Sequence, residues 1–365
     1  MKKILILTNN AGGLINFRKE LLEKFIAERY DVFISVPYDE KIESIEKIGC
    51  KVIDTPINRR DFSIFQELKL LKHYNKIINL IKPDIILTYT IKPNIYGGLV
   101  ARKNKIPYLT NITGLGSALI HSSNLQKILI YLYKKSIKNA RTVFFQNEKN
   151  KQFFTNNNIL NGKHEILPGS GVNLQTFQLL EYPKKNTIEF VFISRIMKEK
   201  GIEEYLEAAE YITLKYPNIK FHICGSFEES YREIILENES KGIIKYHGMV
   251  KNISKILKNI HCVIHPSYHE GMSNVLLEAA ASGRPVIASD IPGCKETLDD
   301  GQTGFSFPKK DTKKLIQTIE KFISLKNDEK KKMGIEGRKK MEKEFKRERV
   351  IEKYLEEIQG AMEGQ

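Results

Sequence analysis

Residues 265–290 read HPSYHEGMSNVLLEAAASGRPVIASD. An apolar run ending at His265-Pro266-Ser267 gives way to a loop of small residues. A helical segment from about Ser273 to Ala281 follows, then a second apolar run, RPVIASD. Strand, loop, helix, strand is the repeating unit of a parallel sheet, because parallel neighbours need a long crossover and a helix supplies it. Two glutamates, Glu270 and Glu278, bracket the helix start. Ligands of open parallel sheets sit beyond the carboxyl ends of the strands, so this loop is where chemistry is expected.

The same unit recurs along the chain. KILILT, YDVFISV, CKVIDTPI, PDIILTYT, IPYLTNIT, RTVFFQN and EILP lie in the first half. IEFVFISRI, IKFHICG, IIKYHG, HCVIHPS, RPVIASDI and TGFSFP lie in the second. These runs are continuous rather than alternating, as suits strands buried on both faces, and helix-length amphipathic segments separate them. Two α/β units follow, each with a twisted parallel sheet. The periodicity lapses at residues 169–187, where Gly, Pro and Lys gather. The expected domains are therefore residues 1–172 and 187–345, with a C-terminal helix at 346–365. The charged segment 326–358 reads as a helix with an apolar stripe at Met341, Phe345, Val350, Ile351, Tyr354 and Ile358, so it should be docked.

No apolar run in the 365 residues approaches the roughly 20 needed to cross a bilayer. The start, MKKILILTNNAGG, reads as a first buried strand and not as a secretion signal, since its apolar run is only Ile4 to Leu7. Cys50, Cys224, Cys262 and Cys294 are scattered without metal-ligand spacing, as expected of reduced cytosolic thiols. The net charge of +15 is concentrated in residues 1–170, which carry 27 basic against 14 acidic residues. Between Asp84 and Glu148 there is no acid at all. A field of one sign points to an anionic partner. Nucleic acid is disfavoured, because basic residues are not interleaved with surface aromatics and no recognition module is present. The segment 125–141, LQKILIYLYKKSIKNAR, mixes Ile, Leu and Tyr with Lys on a helix. Such a face can rest on an anionic bilayer without spanning it, or it can be an ordinary helix facing the core.

Three loops carry candidate residues. After the first strand, Gly12 and Gly13 open a helix expected to begin near Leu14; either the turn needs them or a ligand comes close to the helix N-terminus. In FISRIMKEKG, Arg195 and Lys200 precede a helix start at Gly201, a plausible clamp for a diphosphate. In the third loop, Ser273 or Asn274 is a natural N-cap whose neighbouring N–H groups can hold phosphate oxygens. Glu278 lies four residues beyond Asn274, hence on the same helix face, and a carboxylate can accept two hydrogen bonds from a vicinal diol such as ribose. Set among Val275, Leu276, Leu277 and three alanines, its charge wants a partner. A D-x-D pair and a phosphate-binding G-x-x-x-x-G-K-[ST] loop are both missing from the sequence.

Taken together, these motifs resemble those of retaining family-4 glycosyltransferases. Glu270 to Glu278 resembles the E-x7-E motif, SRIMKEKG the cationic diphosphate-binding segment, and NNAGG the glycine loop of the N-terminal domain. The resemblance covers essentially the whole chain. TNITGLGS is similar to the subgroup that builds surface polysaccharide or N-linked glycan on undecaprenyl diphosphate. The fold implied is GT-B: α/β, two Rossmann-like domains facing across a cleft, with a C-terminal helix returning to the first. The implied activity is a metal-independent transfer of a HexNAc or hexose from a UDP-sugar to a lipid-linked saccharide. It would take place at the cytoplasmic face of the membrane, with no cofactor beyond the donor substrate.

The resemblance also implies roles. Glu270, Arg195 and Lys200 would be catalytic. Gly13, Gly225, Met249, Val250, Gly271, Met272, Ser273, Asn274 and Glu278 would join them in binding the donor. Gly12, Gly13, Asn16, Thr113 and Gly114 would meet the acceptor. One departure stands out: many members carry a His in the loop after the strand IPYLTNIT, where this chain has Asn111 to Ser117 and no His before His121. A GT-B sugar-nucleotide epimerase is the alternative enzyme, and Arg195 and Lys200 combined with E-x7-E disfavour it.

Overall fold

A computed structural model describes residues 1–57, 63–116, 119, 123–184 and 186–363, in two compact units. The first comprises Met1–Ser170 and Arg349–Gln365, the second Gly171–Glu348. The first holds a seven-stranded sheet: β1 (Lys3–Leu7), β2 (Asp31–Val36), β3 (Lys51–Asp54), β4 (Ile85–Tyr89), β5 (Tyr108–Ile112), β6 (Thr142–Phe145) and β7 (His164–Ile166). The second holds six strands: β8 (Ile188–Ile193), β9 (Ile219–Cys224), β10 (Ile244–Tyr246), β11 (Cys262–His265), β12 (Val286–Ser289) and β13 (Gly304–Phe307). Neighbours pair in parallel throughout, for example Leu5 with Phe33 and Val263 with Val286.

The sheet orders are 3-2-1-4-5-6-7 and 10-9-8-11-12-13. Both are doubly wound, and chain order reverses between β1 and β4 and between β8 and β11. Those switch points open a crevice at the carboxyl ends of the strands. The loops after β1, β8 and β11 therefore carry the motifs for a topological reason.

Burial explains the continuous apolar runs. Ile4 and Ile6 enter one core of the first unit, while Leu5 and Leu7 enter the core on the other face. Phe190 and Phe192 are likewise opposed to Val191 and Ile193 in the second unit. Successive side chains point to opposite faces, so a strand covered on both sides has to be apolar at every position.

The segment expected to be a single charged helix is two, Asn327–Glu344 and Arg347–Glu363, broken at Phe345-Lys346. Met341 and Phe345 pack with Leu277 and Ala281 in the second unit. Val350, Tyr354 and Ile358 are buried in the first. The apolar stripe thus serves two cores in turn. Glu357 anchors the last helix by accepting from Thr142 Oγ1 at 2.7 Å and pairing with Lys163.

The second unit also begins earlier than the expected boundary of 187. Val172 N donates to Phe345 O at 2.8 Å and Arg347 N to Val172 O at 3.2 Å, clipping the entering and leaving chains together. Arg284, wholly buried, donates to the carbonyls of Leu180 and Glu181 and ties the following residues down. The first helix starts at Ala11 and not near Leu14, so Gly12 and Gly13 lie inside its first turn. Because Ile358 is fully buried, Ile358→Ala should destabilise the first unit by about 2–5 kcal/mol in denaturant unfolding. An unchanged midpoint would show that the last helix does not hold that unit together.

Candidate active site

The second unit concentrates charge where β8 and β11 end. After β8 the chain passes through Arg195 to a short turn at Lys198–Lys200, and Gly201 begins the helix Ile202–Lys215. Gly201 is left-handed, with φ 75°, and a Cβ there would sit 2.1 Å from the Pro266 carbonyl oxygen. Only glycine lets this turn press against the exit of β11. Tyr268 N donates to Glu199 O at 2.9 Å and fastens the two loops. Lys200 Nζ then reaches Glu270 Oε1 at 2.6 Å.

The same oxygen meets His265 Nε2 at 2.8 Å. His265 is buried and its Nδ1 has no partner among the described residues, so Nε2 carries the proton and donates to the carboxylate. Burial alone would raise the pKa of Glu270, but Lys200 and the His265 hydrogen bond outweigh it and hold the carboxyl far below its usual range. Glu270 is a permanent anion, able to accept hydrogen bonds but not to deliver a proton.

Eight residues on, the helix Asn274–Ala281 begins. Ser273 is its N-cap position, yet its side chain makes no capping hydrogen bond, and among the described residues the buried Ser273 Oγ has no partner. Of the two expected caps, the one from the Ser273 side chain is therefore not formed. Its N-terminus keeps the partial positive charge that favours anions. Ser273 N instead donates to Gly293 O at 2.8 Å, where a Cβ on Gly293 would lie 2.7 Å from Gly271 O, so Gly293 props up the loop by close approach.

Glu278 lies on the second turn, half-buried, and its carboxylate makes no hydrogen bond or ion pair among the described residues. Burial raises its pKa to about 7, partly offset by the charge of Arg347. The two glutamates are thus tuned apart, one always ionised and the other poised near neutrality.

Other expected donor residues are spread around these loops. Gly225 N donates to Gly248 O at 2.8 Å, and a Cβ on Gly225 would sit 1.7 Å from Ser194 O, so it packs the β8 and β9 exits backbone to backbone. Arg195 is half-exposed, its guanidinium 3.8 Å from Glu228. Met249 is largely exposed and Val250 partly so, while Met272 is buried. Lys200, Glu270 and His265 are brought into contact; Arg195 is not part of that cluster.

In the first unit, Gly12 and Gly13 have no backbone need for glycine, since both lie in the helix Ala11–Ala27 without positive φ. Glycine within a helix costs about 1 kcal/mol relative to alanine, so the tight-turn explanation does not account for them. Asn16 is exposed on the next turn; Thr113 and Gly114 are half-buried after β5, and His121 lies outside the described residues. Beneath them is a cluster not anticipated from sequence. Arg18 is buried between the rings of Tyr89 and Tyr354, 5.6 and 5.8 Å from their centres, and the Tyr354 hydroxyl donates to Asn111 Oδ1.

Comparison with known proteins decides the family. The description "Glycosyl transferase 4-like" fits residues 3–147 and "Glycosyl transferases group 1" fits residues 176–340, one in each half of the chain. The chain belongs to the family-4 glycosyltransferases. It is 29% identical over 336 residues to the N,N'-diacetylbacillosaminyl-diphospho-undecaprenol alpha-1,3-N-acetylgalactosaminyltransferase of Campylobacter jejuni, covering 87% of this chain and 88% of that one. It is 28% identical to the capsular polysaccharide biosynthesis glycosyltransferase CapM of Staphylococcus aureus, covering 83% and 85%. Among solved structures, a glycosyltransferase from Rickettsia africae superposes with a TM-score of 0.82 at 19% identity, covering 100% of this chain and 99% of that one. Anabaena HepE in complex with UDP-glucose gives 0.78 at 15% identity, covering 99% and 100%. The fold is GT-B.

His265 is the site residue that sequence reasoning passed over. It was visible as the last residue of an apolar strand five positions before Glu270, but nothing in its spacing showed that it faces that carboxylate. In this glycosyltransferase, Gly201→Ala should lower stability by about 1–3 kcal/mol, since φ and the Pro266 contact are both violated. It should also displace Lys200. Thermal unfolding combined with donor binding checks this, and an alanine variant matching wild type in both would contradict it.

Proposed function

We propose that this glycosyltransferase moves a HexNAc or hexose, with retention of configuration, from a UDP-sugar to a lipid-linked saccharide of the undecaprenyl-diphosphate type. The observation that carries the reading is the buried cluster of Lys200, Glu270 and His265 beside a helix N-terminus that the Ser273 side chain leaves uncapped. As the bond from the anomeric carbon to the diphosphate breaks, negative charge grows on the leaving group and positive charge on the sugar. Lys200, Arg195 and the helix N-terminus are suited to the first, and the fixed anion Glu270 to the second and to donor hydroxyls. Stabilisation by charges already in place is the strongest single means of lowering such a barrier. Glu278 would accept from the ribose hydroxyls. The reading assigns the leaving-group role to protein cations, so no metal is needed.

The acceptor class is supported by the likeness to the Campylobacter enzyme, whose name specifies a diphospho-undecaprenol substrate. The likeness to that enzyme and to CapM, which is named for capsular polysaccharide biosynthesis, supports a role in glycan or capsule assembly. No helix among the described residues is long and apolar enough to cross a membrane. Peripheral attachment would fall to the basic first unit, on whose helix Asn124–Ser136 Ile128 and Tyr131 are exposed beside lysines while Leu129 and Tyr133 face the core. That helix therefore has both a core face and a surface face.

Purified protein incubated with radiolabelled UDP-HexNAc or UDP-hexose and a bacterial lipid extract should place label in the organic phase, with or without EDTA. No transfer from any donor would overturn the reading, and loss of transfer with EDTA would overturn its metal independence. Lys200→Ala should lower kcat about 10²–10³-fold. Glu270→Ala should lower turnover with UDP binding largely kept, whereas Glu278→Ala should chiefly weaken donor binding. Because the Glu278 pKa is raised to about 7, its carboxylate forms only as pH rises through neutrality. UDP-sugar affinity should therefore increase about tenfold from pH 6 to pH 8, and Glu278→Gln should flatten that profile.

A further inference from the structure

Tyr268 stands between His265 and Glu270 in the loop that leaves β11, and its side chain reaches the helix Ile202–Lys215. The hydroxyl donates to Glu204 Oε1 at 2.6 Å. Both side chains are buried, Tyr268 at 5% and Glu204 at 8% exposure. Burial, and then the hydrogen bond to Glu204, push the Tyr268 hydroxyl well above its ordinary pKa, so it keeps its proton and stays a hydrogen-bond donor.

Glu204 is unusual for a glutamate at its position. It is the third residue of a helix whose N-cap is Gly201, and a glutamate there commonly reaches back to the N-cap N–H. Here Gly201 N donates to Lys198 O at 2.9 Å, so that group is already taken. The Glu204 side chain turns inward to Tyr268, and among the described residues its buried Oε2 has no partner. Native proteins rarely leave a buried oxygen so, and the group that holds it there calls for a reason. Glu203, one position earlier, makes the same kind of bond on the outer side, where the Tyr231 hydroxyl donates to its Oε1 at 2.7 Å.

Two bonds thus leave Tyr268 for the segment that carries Lys200. Its N–H donates to Glu199 O at 2.9 Å, in the turn before the helix, and its hydroxyl to the first turn of the helix itself. A single hydrogen bond between two loops is a pivot. Two bonds, one from the backbone and one from the far end of a rigid ring, fix orientation as well as distance. Lys200 lies in sequence between these two anchor points, and Glu270 follows Tyr268 by two residues. The pair therefore brackets the place where Lys200 Nζ meets Glu270 Oε1. The Lys310 ammonium, 4.7 Å from the Tyr268 ring centre, adds a cation–π contact to the same ring.

We infer that Tyr268 and Glu204 are a positioning pair for the sugar-transfer step: their hydrogen bond holds the Glu270 loop in one orientation on the Lys200 turn. The inference rests on the transfer reaction proposed above, in which Lys200 and Glu270 act on the UDP-sugar, and deepens it. The pair works through those two residues and not by touching the substrate. Charges set in advance for a transition state lower its barrier only while they stay in place, and a displacement of about 1 Å can cost about 10²-fold in rate. Without the hydroxyl, the loop can turn about the Tyr268 N–H, and the two charges lose their fixed relation to the breaking bond.

The test uses the full chain, radiolabelled UDP-sugar and a bacterial lipid extract, with UDP binding read in parallel by thermal shift. Tyr268→Phe removes one hydroxyl and keeps the ring. It should lower kcat about tenfold or more, while the UDP-sugar KM and UDP binding stay within about threefold of wild type. Glu204→Leu should do the same from the other end of the bond, whereas Glu204→Gln, whose amide oxygen still accepts, should keep most of the rate. The double variant Tyr268→Phe with Glu204→Leu should be no slower than the slower single one, because both remove one bond. Tyr231→Phe is the matched control: it takes the same kind of bond from neighbouring Glu203 and should leave kcat unchanged. An equal loss of kcat in Tyr231→Phe would show a general loosening of the helix and overturn the assignment. Wild-type kcat in both Tyr268→Phe and Glu204→Leu would also overturn it while leaving the glycosyltransferase reading intact. Should Tyr268→Phe fail to fold, the contrast between Glu204→Leu and Glu204→Gln decides. Absence of transfer by the wild type would overturn both.

Discussion

The hydrogen-bonded ion pair between Lys200 and Glu270 organises the second unit around it. Gly201 exists in a left-handed conformation so that the Lys200 turn can press on the Pro266 carbonyl. Gly293 supports the loop after Glu270, and Tyr268 N bonds to Glu199 O. His265, the last residue of β11, contributes a second donor to the same oxygen. Removing one member of such a buried pair costs about 3–5 kcal/mol, because the other is left charged and unpaired. The geometry is thus enforced from three sides, and the charges are in place before any ligand arrives.

Electrostatics sort the two glutamates of the motif. Identical side chains eight residues apart are driven in opposite directions, Glu270 by two donors and Glu278 by burial, which the charge of Arg347 only partly offsets. Arg347 opens the helix that carries on into the core of the first unit, and its backbone is clipped to Val172. The charge that moderates Glu278 is therefore held by the segment through which the chain leaves the second unit.

Much of the fold was legible because its physics is local. Strands buried on both faces must be apolar at every position, and Ile4–Leu7 or Phe190–Ile193 announce themselves that way. The E-x7-E spacing and the Arg195–Lys200 segment were equally plain. What stayed hidden depends on contacts between distant residues. The His265 ring meets Glu270 only because β11 ends where it does. Arg18 meets Tyr354 although 336 positions separate them in the chain. The break at Phe345 was masked by a charged composition that is helical on both sides of it. Glu204, one glutamate on an amphipathic helix, showed no sign that its carboxylate turns inward to Tyr268.

A crystal structure of the protein with an intact UDP-sugar tests the central claim most directly. The account predicts the diphosphate at the start of the helix Asn274–Ala281 with Lys200 Nζ within about 3 Å of a phosphate oxygen, and the ribose hydroxyls on Glu278. A nucleotide bound elsewhere, with Lys200 still confined to Glu270 and no ribose contact at Glu278, would contradict it.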